Sequence, residues 1–410
     1  MKKLFYLLTA GLLFASCSTG NSTPPVIVDP VVDPVDTTLS GVISADKTLT
    51  SDVIWEVSGR VVVASGATLT IQPGTILKAF AGSGSQASTL IIARGGKIDA
   101  QGTAAKPIIM TSTSDNIRVG ETSGTNLSQN DRGLWGGLLM LGKAPGSFKG
   151  DVTEIQIEGI PATDTNGLYG GTDPTDNSGI LKYVSIRHGG TLIGEGNEIN
   201  GLTLGAVGSG TVIDNVEIVA NVDDGVEFFG GTVSPTNLLV WAAGDDGLDI
   251  DQAYSGTITN SMVILGDASD HGLEIDGGEG SANALFTMDG ITLIGNLVTA
   301  NGEYADFRSN AMGTVKNVYA YDFKDSSDVE LDKVNNVAQN YNDQNLNFGV
   351  WQIVLPAGIT DVKTLFKNTD PLVAVTGFGD TAQAVTKGAQ TVGADTSVFA
   401  WTFAKSKGAF

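Results

Sequence analysis

The chain of 410 residues contains one cysteine, Cys17, and two histidines, His188 and His271. A single cysteine excludes an internal disulfide, and two histidines leave little scope for a His-rich transition-metal site. Basic residues are also scarce, with 23 lysines and arginines against 45 acids and a formal net charge of −22. Because such a surface repels phosphate backbones, the composition argues against nucleic acid as a partner.

A sustained 3.6-residue apolar period is also missing between residues 41 and 345, which argues against an α/β fold. The chain has 54 glycines without a Gly-X-Y period, so collagen is excluded as well. Short apolar runs alternate with turns of Asn, Asp and Gly. This pattern predicts many short strands joined by tight turns.

The N-terminus has the order of an export signal. Lys2 and Lys3 precede the apolar stretch LFYLLTAGLLFA, which ends at FASC. This ending resembles the lipobox of bacterial lipoproteins, with Phe14 in place of the usual leucine. The resemblance implies that Cys17 is acylated and attaches the protein to a membrane. Ser18 after the cysteine implies sorting to the outer membrane, on either of its sides.

The composition divides the chain into four parts. Residues 1–17 are predicted to be the signal peptide and lipobox, and the Pro-rich residues 18–40 a tether. Residues 41–345 are predicted to form the folded body, with loop inserts at about 113–180. Residues 346–410 are predicted to be a partly helical cap over its open end, with Asp395 or Thr396 as a helix N-cap. The aromatic residues of this cap are interpreted as core, namely Trp351, Phe399, Trp401 and Phe403.

A repeat between residues 181 and 332 predicts the architecture. Each unit has an apolar strand, a turn of Asn, Asp and Gly, and a second short strand. Gly225, Gly247 and Gly272 mark equivalent points that are 22 and 25 residues apart. This length fits one coil of three short strands, and stacked coils would bury their apolar side chains. The prediction is an all-β parallel β-helix, with a Greek-key sandwich as the alternative.

A family resemblance supports this fold. GATLTIQPGT, GGKIDAQGTAAKPI and NEINGLTLGAVGSGTVIDNVEIVANVDDGVEFFGGTV resemble exported bacterial β-helix lipoproteins of the pectin-lyase-like type, which have no assigned activity. The resemblance covers most of residues 50–345. It implies a right-handed parallel β-helix in the cell envelope.

Within the repeat, DGVEFF, DGLDID and HGLEID place acids at matching positions. Side chains alternate across a strand, so Val226, Leu248 and Leu273 should point inward and the acids between them outward. The predicted outward columns are Glu227, Asp249, Glu274, Asp306 and Glu330, and then Asp251, Asp276, Arg308 and Asp332. Turn acids precede these strands, at Asp223, Asp224, Asp245, Asp246 and Asp270, beside His271.

Such a ladder needs an explanation, because parallel strands lie about 4.8 Å apart. Like charges at that distance cost roughly 1 kcal/mol even in water. Four accounts are open: a solvent-exposed face that prevents aggregation, a Ca²⁺ site, a glycan-binding groove and a catalytic site. The Ca²⁺ ligands would be Asp246, Asp249, Asp251 and Asp276. The glycan-binding residues would be Glu227, Asp249, Asp251, Glu274, Asp276 and Asp306.

The catalytic account comes from a second resemblance. NVDDG, GDDG, DHG and FRS resemble the motifs N-T-D, G-D-D, G-H-G and R-I-K of β-helical polygalacturonases. This resemblance implies that Asp224, Asp245 and Asp246 supply the acid and base of an inverting hydrolysis, assisted by His271 and Arg308. The family's lysine is absent, since Ser309 and Asn310 follow the arginine.

These observations favour cell-envelope binding or scaffolding through the acidic face over catalysis. A polysaccharide or another envelope protein is the expected partner, with Ca²⁺ as a possible cofactor. The alternative is a polysaccharide-degrading enzyme, either a polygalacturonase-like inverting hydrolase or a lyase.

Overall fold

The computed structural model describes residues 36–193, 199–298, 302–334 and 336–410. Cys17 and most of the predicted tether lie outside these residues. Residues 37–410 form one compact unit. The first strand begins at Thr38, just before the predicted boundary at residue 41. Within the described residues, no helix is both long enough and apolar enough to cross a bilayer.

Twenty-five strands form one sheet that winds through successive coils. All its ladder pairings are parallel, and each coil contributes strands to three faces, A, B and C. Parallel pairing excludes the sandwich alternative and confirms the predicted β-helix. Face A contains β6 Thr89–Ile92, β9 Leu138–Leu141, β13 Leu202–Gly205, β15 Val226–Phe229, β17 Leu248–Asp251, β19 His271–Ile275, β21 Glu303–Phe307, β23 Val329–Leu331 and β26 Phe366–Asn368.

Faces B and C share long strands that bend at the corner between them. These strands are β12 Gly179–Arg187, β14 Val212–Val219, β16 Thr236–Trp241, β18 Thr257–Ile264, β20 Phe286–Ile294 and β22 Gly313–Tyr321. Face B also has β2 Lys47–Leu49, β4 Thr68–Ile71, β7 Lys97–Gln101 and β24 Leu346–Phe348; face C has β5 Ile76–Ala79, β8 Ile108–Ser112, β25 Trp351–Ile353 and β27 Ala382–Ala384. The first long strands, β1 Thr38–Ile43 and β3 Ile54–Val63, contribute to faces C and A.

The bend between faces B and C depends on a left-handed residue in each coil. Asn215, Asn237, Asn260 and Asn317 have φ of 57°, 57°, 52° and 57°. Asparagine enters this region more easily than other L-residues because its short amide can bond locally. Asn260 Nδ2 donates to Asn237 Oδ1 at 2.6 Å, so the amides link one coil to the next.

The interior of the coils is filled by the inward side chains of all three faces. Val226, Leu248 and Leu273 are buried, and so are Phe228, Ile250 and Ile275, which form a second inward column. This agrees with the alternation predicted from the sequence. Each such side chain contributes about 1.5–3 kcal/mol by leaving water.

The predicted loop inserts flank face A. Strand β9 interrupts them, which leaves irregular segments at residues 113–137 and 142–178. The second segment carries an antiparallel pair, β10 Ile155–Gln156 and β11 Leu168–Tyr169. Its apolar side chains Phe148, Ile157 and Tyr169 join a cluster with outward residues of the early coils, including Val62, Ile91 and Leu139. This segment therefore covers the N-terminal part of face A.

The C-terminal region contains a small helical element, as predicted, and part of it also continues the β-helix. Coils continue beyond residue 345 as far as β27, and helix α1 Val337–Asn342 lies between β23 and β24. Residues 385–410 then run back along face C, where Phe399 and Phe403 are buried and Trp401 is half-buried. Trp351 is buried in the main core. Asp395 caps a 3₁₀ turn at Thr396–Phe399 by accepting from the Ser397 N–H, and helix α2 spans only Phe403–Ser406.

Candidate functional site

Face A brings the predicted acids together in register. Glu227 lies opposite Asp249, Asp249 opposite Glu274, Glu274 opposite Asp306, and Asp306 opposite Glu330. We call this outward surface, with the turns that precede its strands, the acidic groove. On the early coils the same column is apolar and lies under the insert. The acids thus begin where the apolar covering ends.

Steric constraints explain why each repeat has a glycine at this position. A β-carbon on Gly225 would lie 2.7 Å from the carbonyl oxygen of Gly247, and one on Gly247 would lie 2.6 Å from that of Gly272. Neighbouring coils therefore approach closely just after the turn acids. This close approach stacks Asp224 on Asp246 and Asp246 on His271, because the adjoining strands pair in register.

Three carboxylates converge at the closed end of the groove. Asp224, Glu227 and Asp249 each have an oxygen within 4.8 Å of the others. Asp224 and Glu227 are only 6% and 7% exposed. Asp224 Oδ1 accepts the Asp246 N–H at 2.9 Å, and Glu227 Oε2 accepts Asn200 Nδ2. We call these three acids the buried trio.

Two oxygens at the buried trio have no hydrogen-bond partner within the described part of the chain. They are Asp249 Oδ1 and Asn200 Oδ1, and both are inaccessible to solvent. Asn200 is 1% exposed, and its amide nitrogen contacts Glu227. Buried polar atoms are normally paired, so these oxygens mark a place where a ligand or a proton is required.

Electrostatics at the buried trio favour the neutral carboxyl. Burial raises the pKa of Asp224, Glu227 and Asp249 well above the usual range, and the charges of neighbouring acids raise it further. The account of a solvent-exposed acidic face is therefore wrong for this end of the groove. The acids at this end are buried because the insert excludes water from positions that would be open on a coil without an insert.

A chain of ion pairs follows on the next coils. Asp246 Oδ1 accepts the His271 N–H at 2.7 Å and lies 2.8 Å from His271 Nδ1. Glu274 lies 3.5 Å from the same nitrogen and also pairs with Arg308, whose Nε lies 3.2 Å from Asp276 Oδ2. His271 and Arg308, the two cations of the predicted site, are therefore already paired with acids of the groove.

The pKa values along this chain follow from burial and pairing. Burial raises the pKa of Asp246 to about 7, even though the bond from His271 opposes the shift. Burial alone would lower the pKa of His271, but the hydrogen bond and charge of Asp246 outweigh it and raise it to about 10. His271 is therefore an imidazolium at neutral pH.

The open end of the groove contains a cavity of about 320 Å³. Its polar lining consists of Asp251, Asp276, Glu279, Arg308, Ser309 and Asn310. Burial and the charge of Asp276 raise the pKa of Asp251 to about 7, while burial raises that of Asp276 to about 6 against the opposing charge of Arg308. Asp306, one coil further, has a pKa raised by burial to about 7. This end of the groove is accessible and can contact a polar ligand.

Two of the three predicted catalytic acids, Asp224 and Asp245, have oxygens close together in a cluster of turn acids. Oxygens of Asp223, Asp224 and Asp245 lie within 4.8 Å of one another. Inverting enzymes separate their two carboxyl groups by roughly 6.5–9.5 Å to admit a water molecule. Asp245 is exposed while Asp224 is buried.

Sequence reasoning missed three contributors to the groove. Glu158 of the insert is exposed at the surface, yet its charge adds to the raised pKa of Glu227. Gln252 links the insert to the coils, since it accepts from Tyr169 Oη at 2.8 Å and donates to Glu279 at 3.3 Å. Asn200 follows a segment without the acidic repeat. Its alignment with Asp224 one coil later was the only available signal.

Arg187 and His188 lie next to each other and are both buried. Arg187 lies 3.9 Å from Glu217, an ion pair between neighbouring coils. Burial lowers the pKa of His188, whose Nδ1 lies 2.7 Å from the Asp131 carbonyl oxygen.

The fold defines a class, the right-handed parallel β-helix. The chain belongs to the family described as pectate-lyase-like β-helix domains, whose model matches residues 41–405. Comparisons with curated proteins and with solved structures found no match.

Proposed function

We propose that this protein is a lipid-anchored outer-membrane protein whose acidic groove binds polysaccharide in the cell envelope. Its buried trio would hold a divalent cation, with Ca²⁺ the best fit. Membership of a pectate-lyase-like family supports a carbohydrate-related role. Anchoring would depend on Cys17, and the groove would act as a binding or scaffolding surface.

One observation carries the proposal: the unpartnered, inaccessible Oδ1 of Asp249 beside two other buried carboxylates. Within the described residues, no lysine or arginine forms an ion pair with Asp224, Glu227 or Asp249. Crowded acids of this kind need either protons or a bound cation to offset their repulsion. A cation supplies both the charge and a partner for the free oxygen.

The donor set indicates which cation. Carboxylate and amide oxygens are hard ligands that suit Ca²⁺ and Mg²⁺, and Ca²⁺ accepts six to eight of them in flexible geometry. Three carboxylates and Asn200 Oδ1 can supply most of this number. These ligands differ from the set predicted from the sequence, because Asp246 is bound to His271 and Asp276 is bound to Arg308. Asp249 alone is common to both sets.

Polysaccharide binding follows from the open end of the groove. Sugar hydroxyls can donate to Asp251 and Asp306 and accept from Arg308, which is 38% exposed at its side chain. Without a cation, the groove repels polyuronates by like charge. With a cation at the buried trio this repulsion falls, so we expect Ca²⁺ to broaden the range of bound glycans.

The test is titration calorimetry of the chain with Ca²⁺, followed by retention on neutral and acidic polysaccharides with Ca²⁺ or with EDTA. Asp249→Asn should weaken Ca²⁺ binding at least tenfold. The matched control is Asp289→Asn, which removes an acid from face B that pairs with Lys316. Equal Ca²⁺ affinity in the two variants would refute the cation site. Failure to retain any polysaccharide would refute the glycan role.

Polysaccharide cleavage is the second candidate, favoured by the hydrogen-bonded pair of Asp246 and His271 at the groove surface. Asp224 and Asp245 lie closer at their nearest oxygens than the carboxyl separation usual in an inverting hydrolase, so the acid and base of such a reaction would have to include Asp246. Release of reducing ends would show cleavage; ultraviolet absorption by unsaturated sugars in the same products would identify a lyase, and its absence a hydrolase. Loss of either signal in Asp246→Asn, with glycan retention unchanged, would establish the enzyme in place of the binding module.

A further inference from the structure

Residues 385–410 cross the outside of face C in the direction opposite to coil growth. After β27, the Thr391 N–H donates to Gln352 at 2.7 Å and the Gly393 N–H donates to the Asn317 carbonyl oxygen at 3.0 Å. The Ala394 N–H then donates to Thr292 Oγ1 at 2.9 Å and the Asp395 N–H to Asn260 Oδ1 at 2.6 Å. Trp401 finally meets Tyr183 with ring centroids 5.5 Å apart. The segment thus spans every coil from β25 back to β12.

The end of this segment enters a built socket. Glu217 is 0% exposed. Its carboxylate accepts the N–H groups of Phe403 at 3.0 Å and Ala404 at 2.8 Å, and the hydroxyl of Ser185 at 2.6 Å. The guanidinium of Arg187 lies 4.5 Å from the centre of the Phe403 ring. Two of the donors that satisfy this buried carboxylate therefore come from the last residues of the chain.

Apolar contacts surround the socket. Phe399, Phe403 and Ala404 cluster with Leu239, Met262 and other outward residues of face C. On an uncovered β-helix these outward positions would face water. The C-terminal segment therefore covers an apolar strip and satisfies a buried charge at the same time.

The connection to the socket is much weaker. Residues 386–391 are exposed, and Gly388 has a left-handed φ of 88° with no atom near its missing β-carbon. Lys387 pairs with Asp322 at 2.7 Å through a side chain that is 54% exposed. Exposed pairs of this kind contribute between zero and about 1 kcal/mol. Residues 386–390 therefore contribute little to holding the segment on the coils, compared with the socket.

We propose that residues 385–410 form a releasable strap, which docks in the Glu217 socket and couples the coils from β12 to β25 into one cooperative unit. In a stacked-repeat protein each coil contacts only its neighbours, so the end coils open most easily. A strap that joins the coil of β25 to the coil of β12, six strands of face C earlier, suppresses this opening. Its release uncovers the apolar strip on face C.

The test is native-state hydrogen exchange on the full chain, resolved by peptide and measured at several denaturant concentrations below unfolding. In the parent, amides of Phe403 and Ala404 and those of β22 and β25 should exchange through one shared local opening. β4 to β8, which the strap does not cross, should exchange only by global unfolding. Exchange of the strap by global unfolding alone would overturn the proposal.

Variants sharpen the result. Glu217→Ala should speed exchange in the strap and in β22 and β25 at least tenfold, with little change in β4 to β8. Glu217→Gln, which keeps one acceptor oxygen, should show an intermediate effect. Glu330→Gln, an acid on face A away from the strap, is the matched control. Unchanged exchange in Glu217→Ala, or equal acceleration throughout the chain, would each refute the strap.

Discussion

Asp246 binds His271 twice with the same oxygen, since Oδ1 accepts the backbone N–H at 2.7 Å and lies 2.8 Å from ring Nδ1. The two residues occupy the same position on successive coils. The bond therefore fixes both the ring orientation and its charge. Because Nδ1 is held by Asp246, Nε2 is the ring atom left to interact with a ligand.

The charge of His271 can be measured directly, because the chain has only one other histidine. We expect NMR titration to show that His271 has a pKa of about 10 and is protonated at pH 7. His188, whose pKa is lowered by burial, should be neutral at pH 7. In Asp246→Asn the pKa of His271 should fall by more than one unit, because its main acceptor charge is lost. Two histidines that titrate together near 6.5 would contradict the proposed pair.

Calcium should stabilise the folded chain by mass action, since the buried trio converges only in the folded state. At a concentration one hundred times the dissociation constant, the expected gain is about 2.7 kcal/mol. We expect a rise in Tm with Ca²⁺ that disappears in Asp249→Asn and persists in Asp289→Asn. Calorimetry with and without EDTA measures this difference, and an equal rise in both variants would point to non-specific screening.

Asp306 provides a pH test away from the trio. Burial raises its pKa to about 7, so in the folded state it holds a proton that the unfolded chain releases near pH 4. Its contribution to stability is therefore neutral at low pH and becomes destabilising as pH rises from about 4 to 7. Relative to the parent, Asp306→Asn should gain stability at pH 8 but not at pH 4, as measured by urea unfolding in EDTA. The same gain at both pH values would show a packing effect instead.

Gly247 tests the close approach of the coils. Its added β-carbon would lie 2.6 Å from the Gly272 carbonyl oxygen and 2.3 Å from Val263 Cγ1. Overpacking of this kind costs about 1–3 kcal/mol, so Gly247→Ala should lower the free energy of unfolding by that amount. Gly66→Ala is a useful contrast, because no atom lies within 4 Å of its added carbon and only its φ of 87° opposes the change. A larger loss at Gly66 would contradict the steric account.

Anchoring is tested by Cys17→Ser in the full precursor. We expect the parent to partition into the outer-membrane fraction and the variant to remain unprocessed or soluble. Radiolabelled fatty acid should appear in the parent alone. Equal labelling or equal partitioning of the two proteins would exclude acylation at Cys17.

Much of the coil geometry could be predicted from the sequence, because it depends on local patterns. The spacing of Gly225, Gly247 and Gly272 fixes the register of three coils, and alternation places Glu227, Asp249 and Glu274 on one outward column. Asp395 was recognisable as an N-cap from its position before a short apolar turn. These features need only neighbouring residues and their equivalents one coil away.

The burial of the acids could not be predicted from such local patterns. The insert at residues 142–178 reaches the groove through contacts such as Tyr169 with Gln252, which are 83 residues apart. No repeat connects Glu158 with Glu227. The docking of Phe403 on Glu217 also joins distant parts of the chain, which explains why the tail appeared to be an end cap. Long-range contacts of this kind leave no periodic trace.

The apolar cluster under the insert has a consequence for how this protein can vary. Val62, Ile91 and Leu139 face outward on coils whose later equivalents carry acids, and only the insert keeps them from water. A shorter insert would open the groove. It would also expose an apolar strip on the early coils, which would promote self-association. Diversification of ligand preference should therefore proceed by exchanging side chains on the rim of the insert, while its footprint on the early coils stays constant.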